Sequence, residues 1–215
     1  LSALENKLSP AKTFANWIDD LISLNAALSD EERIRAIGMG ADEMKASGVT
    51  GLADYVADPA LLDSIFDLGF RSVLFLETIG FQEEKAEAVA EEVEAILKNH
   101  ESNCNIGIAP HAPYSVSAKL WQRLDQLAKK YGCLLSTHLA ETDEEIQFIE
   151  KGGGPLVDLL KDRQVFDMNW RVPGMTPARY LISMNVLSGT VAVHCNFIDD
   201  DMDTVQAAVF CPKST

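Results

Sequence analysis

The stretch "CLLSTHLAETDEEI", residues 133–146, runs from an apolar segment into an imidazole, then a carboxylate, then a cluster of acids. Residues 133–138 read as a short β-strand. "TDEEIQFIEKGGG", 142–154, reads as a helix opened by Thr142 with Glu145 three residues on, the pattern of a capping box. Along an extended segment alternate side chains share a face, so Ser136 and His138 point one way and Thr137 the other. Glu141 comes past the strand end, where a turn can aim it back over the face that carries His138. It can equally serve as an N-terminal acid of the helix, a role also open to Asp143, Glu144 and Glu145.

The same strand-then-helix unit recurs on both sides. Strands are expected at 49–56, 71–78, 105–111, 133–138, 190–196 and 206–212. Between them, "DPALLDSIFDLG" has Asp58 as N-cap, Pro59 at the first helical position and Gly69 as the stop. "EEKAEAVAEEVEAILKNH" carries Ala86, Val89, Ala90, Val93 and Ile96 along one face. "SAKLWQRLDQLAKKYG" places Leu120, Leu124 and Leu127 on one stripe and ends at Gly132. Strand and helix in alternation imply parallel strands with right-handed crossovers, which is the α/β class. Residues 152–189 break the rhythm with turn residues and two short helical patterns, and are expected to run over the end of the sheet. The first 48 residues read as two helices, with Trp17, Leu21 and Leu24 on one stripe and Ile34, Ile37 and Met44 on another. Both stripes are expected to be buried.

The chain has 215 residues, 47% of them hydrophobic, enough for a substantial core, and a length that suits one domain or a part of one. A formal net charge of -15 disfavours a nucleic-acid partner, because a phosphate backbone selects Lys and Arg clusters. No apolar stretch approaches the roughly 20 residues that span a bilayer, and the N-terminal residues do not read as a signal peptide, so no membrane association and a cytoplasmic location are expected. Cys104, Cys133, Cys195 and Cys211 are widely spaced in or beside apolar runs and suggest neither a disulfide framework nor a CxxC knuckle. "KGGGP" lacks the Lys-Ser/Thr of a phosphate loop and follows a helix, so it reads as a helix stop. "DDDMD", 199–203, lacks the Gly and terminal Glu of a calcium loop and reads as the acidic start of a helix. The H-x-E and P-C-x-x-C signature of zinc cytidine deaminases does not occur.

Of the four histidines, His100 sits at the end of a helix, where a cation suits the dipole. The others each end an apolar run: "NIGIAPHAP" at His111, "CLLSTHLAE" at His138 and "TVAVHCN" at His194. In parallel α/β folds the carboxyl ends of the strands share one face, so these three imidazoles can converge there. An imidazole suits a divalent metal and a nearby carboxylate suits proton transfer, the pairing that metal-assisted hydrolysis needs. A catalytic metal normally takes about three protein ligands, so His138 needs others from elsewhere in the fold.

"APHAPYSVS", "THLAETDEEI", "VAVHCNFIDDDM" and "FCPKST", in this order and spacing, resemble the aminohydrolase branch of the amidohydrolase superfamily, which includes nucleobase, nucleoside and aminofutalosine deaminases and triazine chlorohydrolases. "LSALENKLSPAKTFANWIDDLI" and "WRVPGMTPARYL" extend the resemblance over nearly the whole chain. It implies an incomplete (β/α)8 TIM-like barrel, about strands two to seven. The first and last strands and the β-sandwich of the family are lacking, so residues 1–215 are expected to form a single, truncated barrel domain with two exposed sheet edges. It implies a metal-dependent hydrolytic deaminase acting on a purine-like or other nitrogen-heterocycle small molecule. His138 would ligate one divalent metal, zinc or iron. Glu141 would shuttle protons between the attacking water and the substrate ring, His194 would orient or help deprotonate that water, and His111 and Glu77 would contact substrate, although Glu77 could as easily make a structural ion pair. Phe14 and Trp17 could line the pocket or serve the core. The family's first-strand His-x-His and eighth-strand Asp are absent, so this stretch alone is expected to bind metal weakly or not at all, and to be inactive. An amide- or chloro-hydrolase of the same superfamily, or a non-catalytic α/β scaffold, are the alternative readings. A homo-oligomer is compatible with any of them.

Overall fold

In the computed structural model, which describes residues 4, 8, 13–100, 105–198 and 205–211, every expected strand forms. They are β1 (Gly51–Val56), β2 (Arg71–Thr78), β3 (Ile106–Pro110), β4 (Leu135–Leu139), β5 (Thr190–His194) and β6 (Ala207–Val209). All neighbours pair parallel, in the order β1-β2-β3-β4-β5-β6. The helices are α1 (Phe14–Ala26), α2 (Asp30–Ala46), α3 (Leu62–Phe66), α4 (Ala86–Asn99), α5 (Ala118–Tyr131), α6 (Asp143–Lys151), α7 (Pro155–Asp162) and α8 (Pro177–Ser183).

The sheet is strongly curled, and three side chains prove it. The ring of Tyr55 on β1 stacks on the ring of His138 on β4, centroids 4.7 Å apart, and its hydroxyl lies 2.7 Å from Ser136 Oγ on the same strand. In a flat sheet β1 and β4 would be three strand spacings apart, about 14 Å. Contact is possible only if the strands wrap into a half-barrel, with Tyr55, Ser136 and His138 on the concave side. Phe75 on β2 joins that side, its ring 5.9 Å from that of Tyr55. Directly across the register lies Gly107 on β3; a Cβ there would stand 2.5 Å from the Phe75 ring, so the ring occupies the space a side chain would need.

The alternate residues point outward. Leu74, Leu76, Ile108, Leu135 and Leu139 pack against Leu62, Ala90, Val93, Leu120, Trp121 and Leu124 of the surrounding helices to form the main core. Local signals set the helix ends as expected: Asp58 accepts from Ala60 N, and Gly132 and Gly152 close α5 and α6 in the left-handed conformation. A second, aromatic-rich cluster lies beyond the carboxyl ends of the strands. Phe81, Tyr114, Phe148, Leu156 and Leu160 pack there with Phe14, Phe166 and Trp170, so the 152–189 excursion joins α1 over that end.

Two expectations need correction. The stripes of α1 and α2 are not buried: Trp17, Leu21, Leu24, Ile37 and Met44 are half-covered, and Ile34 is 52% exposed. Only Ala15 and Ala41 of these helices are buried, because α2 leads into the edge strand β1, which has no outer neighbour among the described residues. The capping box at α6 is one-sided. Thr142 Oγ1 accepts from Glu145 N, but the Glu145 carboxylate does not return to the cap and binds two other amides. "DDDMD", Cys104 and the last four residues, with most of the "FCPKST" motif, lie outside the described residues.

Candidate active site

Glu77 on β2, His111 immediately after β3, His138 on β4 and His194 at the end of β5 meet at the carboxyl ends of the strands. Ring centroids are 5.1 Å apart for His111 and His138 and 5.2 Å for His138 and His194. His138 Nδ1 lies 3.1 Å from His194 Nε2, which is 3.5 Å from Glu141 Oε1. The geometry thus brings together all five residues singled out in the sequence. His100 stays apart, its Nδ1 2.9 Å from Ile96 O at the end of α4.

The backbone around Glu141 is held in an unusual shape. Ala140, His194 and Cys195 have φ of 50°, 74° and 54°, the left-handed region that non-glycine residues seldom adopt. Such strain persists only where surrounding bonds enforce it. Here the fully buried Glu145 accepts from Ala140 N and Glu141 N, both at 2.9 Å, one on each carboxylate oxygen. From the other side Asn196 Nδ2 donates to Glu141 O at 3.0 Å, and Asn196 N to Ala140 O at 3.0 Å. The β4 and β5 end loops are therefore laced together with Glu141 between them. The neighbouring Glu144 accepts from Phe14 N and Ala15 N at 2.7 and 2.9 Å, which ties the start of α1 to α6. Three acids that look interchangeable in the sequence thus have three separate tasks.

Burial sets the protonation states. Withdrawal from water pushes the Glu141 carboxyl up to about 7, where it can both take and give a proton near neutrality. Glu145 is pushed up to about 8 by its burial, against the two amide bonds that favour its charge. Burial lowers His111 to about 4, and lowers His138 to about 3 with help from the neighbouring His111 and His194 rings. Both imidazoles are neutral at pH 7 and keep lone pairs for a ligand. Glu77 is raised by burial and by the charge of Asp54.

Glu77, His111 and His138 could hold a divalent cation, since one donor atom from each lies within 4.8 Å of the others. The chemistry of the donors fits, two neutral imidazoles and one carboxylate desolvated near another acid, and a cation would relieve that repulsion. Glu77 and His111, expected as substrate contacts, are thus close enough to His138 to share a cation with it.

Sequence reading missed Tyr55, Ser115, Glu145 and Asn196 as parts of this site. Ser115 was in plain view within "APHAPYS", four residues after His111, and its Oγ lies 2.7 Å from His111 Nδ1. Tyr55 had no local signal, because its partners are on β2 and β4. Phe14 and Trp17 stack at 6.0 Å, and Phe14 meets Tyr114 edge-on at 6.4 Å, which in turn meets His111 at 5.7 Å. The two aromatics therefore border the site by way of Tyr114.

Comparison with known proteins points the same way. The chain is 29% identical to an aminodeoxyfutalosine deaminase of Deinococcus radiodurans, over all of this chain and 54% of that protein. Among solved structures it is similar to the Helicobacter pylori aminofutalosine deaminase in complex with methylthio-coformycin (TM-score 0.75, 21% identity, 96% of this chain and 52% of that one). It is also similar to a zinc-bound adenosine deaminase from Xanthomonas campestris (TM-score 0.67, 19% identity, 98% and 47%). The chain spans about half the length of these relatives. A curled parallel sheet with its imidazoles and acids at the strand ends agrees with the family model that matches residues 5–206, and the chain belongs to the amidohydrolase family.

Proposed function

We propose that the protein to which this chain belongs is a metal-dependent hydrolase that deaminates a purine-like or related nitrogen heterocycle carried on a small nucleoside-like molecule. Residues 1–215 act in this reading as one barrel unit. The observation that carries it is Glu141, raised to about 7 and 3.5 Å from His194, which is itself 3.1 Å from His138. A carboxyl poised near neutrality beside two imidazoles suits a reaction that must take a proton from water and deliver it to a ring nitrogen and a departing amine. A bound divalent cation, for which zinc is our choice given the zinc-bound neighbour, would lower the pKa of the attacking water.

The chain's own residues do the rest. Glu141 relays the proton between water and substrate. His194 orients the water, His138 ligates the cation, and His111 and Glu77 face the substrate. The deaminase names of the relatives favour this over amide or chloride hydrolysis, and the paired, desolvated acids and imidazoles favour it over a scaffold. No helix among the described residues is long and apolar enough to cross a membrane, and we place the reaction in the cytoplasm.

The test is ammonia release from a panel of adenine nucleosides by the intact protein loaded with zinc. Glu141→Gln should lower kcat by about 10²–10⁴-fold, the usual worth of a positioned acid-base group. Turnover within threefold of the parent would remove Glu141 from the chemistry.

A further inference from the structure

We propose that Ser115 sets the tautomer of His111, so that Nδ1 carries the proton and Nε2 meets the site as a bare acceptor. Three groups form a directed chain. Ser115 Oγ lies 2.7 Å from His111 Nδ1 and 3.2 Å from Ala112 O. A carbonyl can only accept, so the one hydroxyl hydrogen is used on Ala112 O, and Oγ is left to accept from Nδ1–H. Each bond then polarises the next. The opposite tautomer would spend the hydroxyl on Nδ1, give up its bond to Ala112 O, and turn an Nε2–H toward the site. Ser115 is itself 5% exposed, and its own backbone is held by Ser115 N to Ala112 O and Gly80 N to Ser115 O, so the turn does not depend on the hydroxyl.

Resting on the deaminase reading, the consequence is a substrate preference. A bare Nε2 rewards a ligand that offers a hydroxyl or N–H donor there, and gives nothing to an analogue lacking it. Ser115 is a positioning residue acting through His111.

The test is nitrogen NMR of the 15N-histidine-labelled intact protein, with His111 assigned through His111→Gln. The parent and Ser115→Thr should show a protonated Nδ1 and a bare Nε2, and Ser115→Ala should shift toward the other tautomer. An Nε2–H in the parent, or an unchanged spectrum in Ser115→Ala, overturns the proposal. In turnover, Ser115→Ala should raise KM for a hydroxyl-bearing nucleoside about tenfold, the worth of one hydrogen bond, with little change for a deoxy analogue and recovery in Ser115→Thr. Equal effects on both substrates would also overturn it. If the parent deaminates nothing, the functional reading fails while the tautomer measurement still decides this one.

Discussion

Replacing Gly107 by alanine adds one methyl group on the concave side of the curled sheet, in the space taken by the Phe75 ring. The built Cβ stands 2.5 and 2.6 Å from two carbons of the Phe75 ring and 3.0 Å from Leu134 O. Ordinary carbon contacts lie near 3.5–4.0 Å, so the ring must move by about 1 Å. It has little freedom to do so: Phe75 is 4% exposed and is backed by Tyr55, while Leu134 O is held by Ile108 N at 2.9 Å. Two effects oppose each other. Loss of glycine's freedom in the unfolded chain favours alanine by about 0.4–1 kcal/mol. Overpacking a close-packed interior costs about 1–3 kcal/mol, and the severity of this contact places it toward the upper end. The expected result is a net loss of about 1–2 kcal/mol, read as a lower urea midpoint at unchanged m-value. Phe75→Leu should relieve the clash, so in the double variant the cost of Gly107→Ala should fall by about 1 kcal/mol. A Gly107→Ala midpoint equal to or above that of the parent, or a cycle with no coupling, would refute the reasoning.

Two further substitutions probe the acids that follow Glu141. In Glu145→Gln one carboxylate oxygen becomes an NH2 that faces a backbone N–H, so about 1–3 kcal/mol should be lost at pH 5. The folded carboxyl titrates near 8, above the unfolded value of 4.5. Its contribution is therefore whole below about pH 4.5 and fades as pH rises toward 8, so the gap between parent and variant should narrow over that window. A gap that widens with pH would show the charged form to be the favoured one. Glu144→Ala removes both acceptors at the start of α1, and hydrogen exchange of the Phe14 and Ala15 amides should quicken at least tenfold while the strand amides stay protected. Uniform protection across α1 would mean that the latch is dispensable.

Much of the fold was legible because local physics wrote it. Short apolar, β-branched runs marked the strands, Asp58 and Pro59 opened a helical turn, Gly132 and Gly152 closed helices, and His111, His138 and His194 each stood at the end of a strand, where a parallel sheet gathers its chemistry. These signals lie within a few residues of the element they specify. Burial of the first two helices was not legible in the same way. The stripe of Ile34, Ile37 and Met44 is a sound helical pattern, yet its burial depends on which strand neighbours it, and β1 lies at the sheet edge.

The tasks of the individual acids and hydroxyls belonged to the tertiary structure alone. Nothing within "AETDEE" says that Glu141 turns toward His194, that Glu144 reaches α1 130 residues away, or that Glu145 turns back to grip the loop. Tyr55 becomes a neighbour of His138 only because the sheet curls, and the carboxyl of Glu141 rises to about 7 only because that curl and the covering loops remove water from it. Sequence by itself determined which backbone elements form and which residue types stand at their ends, since propensity, capping and periodicity are short-range. Orientation, burial and protonation are set by what arrives from distant parts of the chain, and those were decided only by the assembled fold.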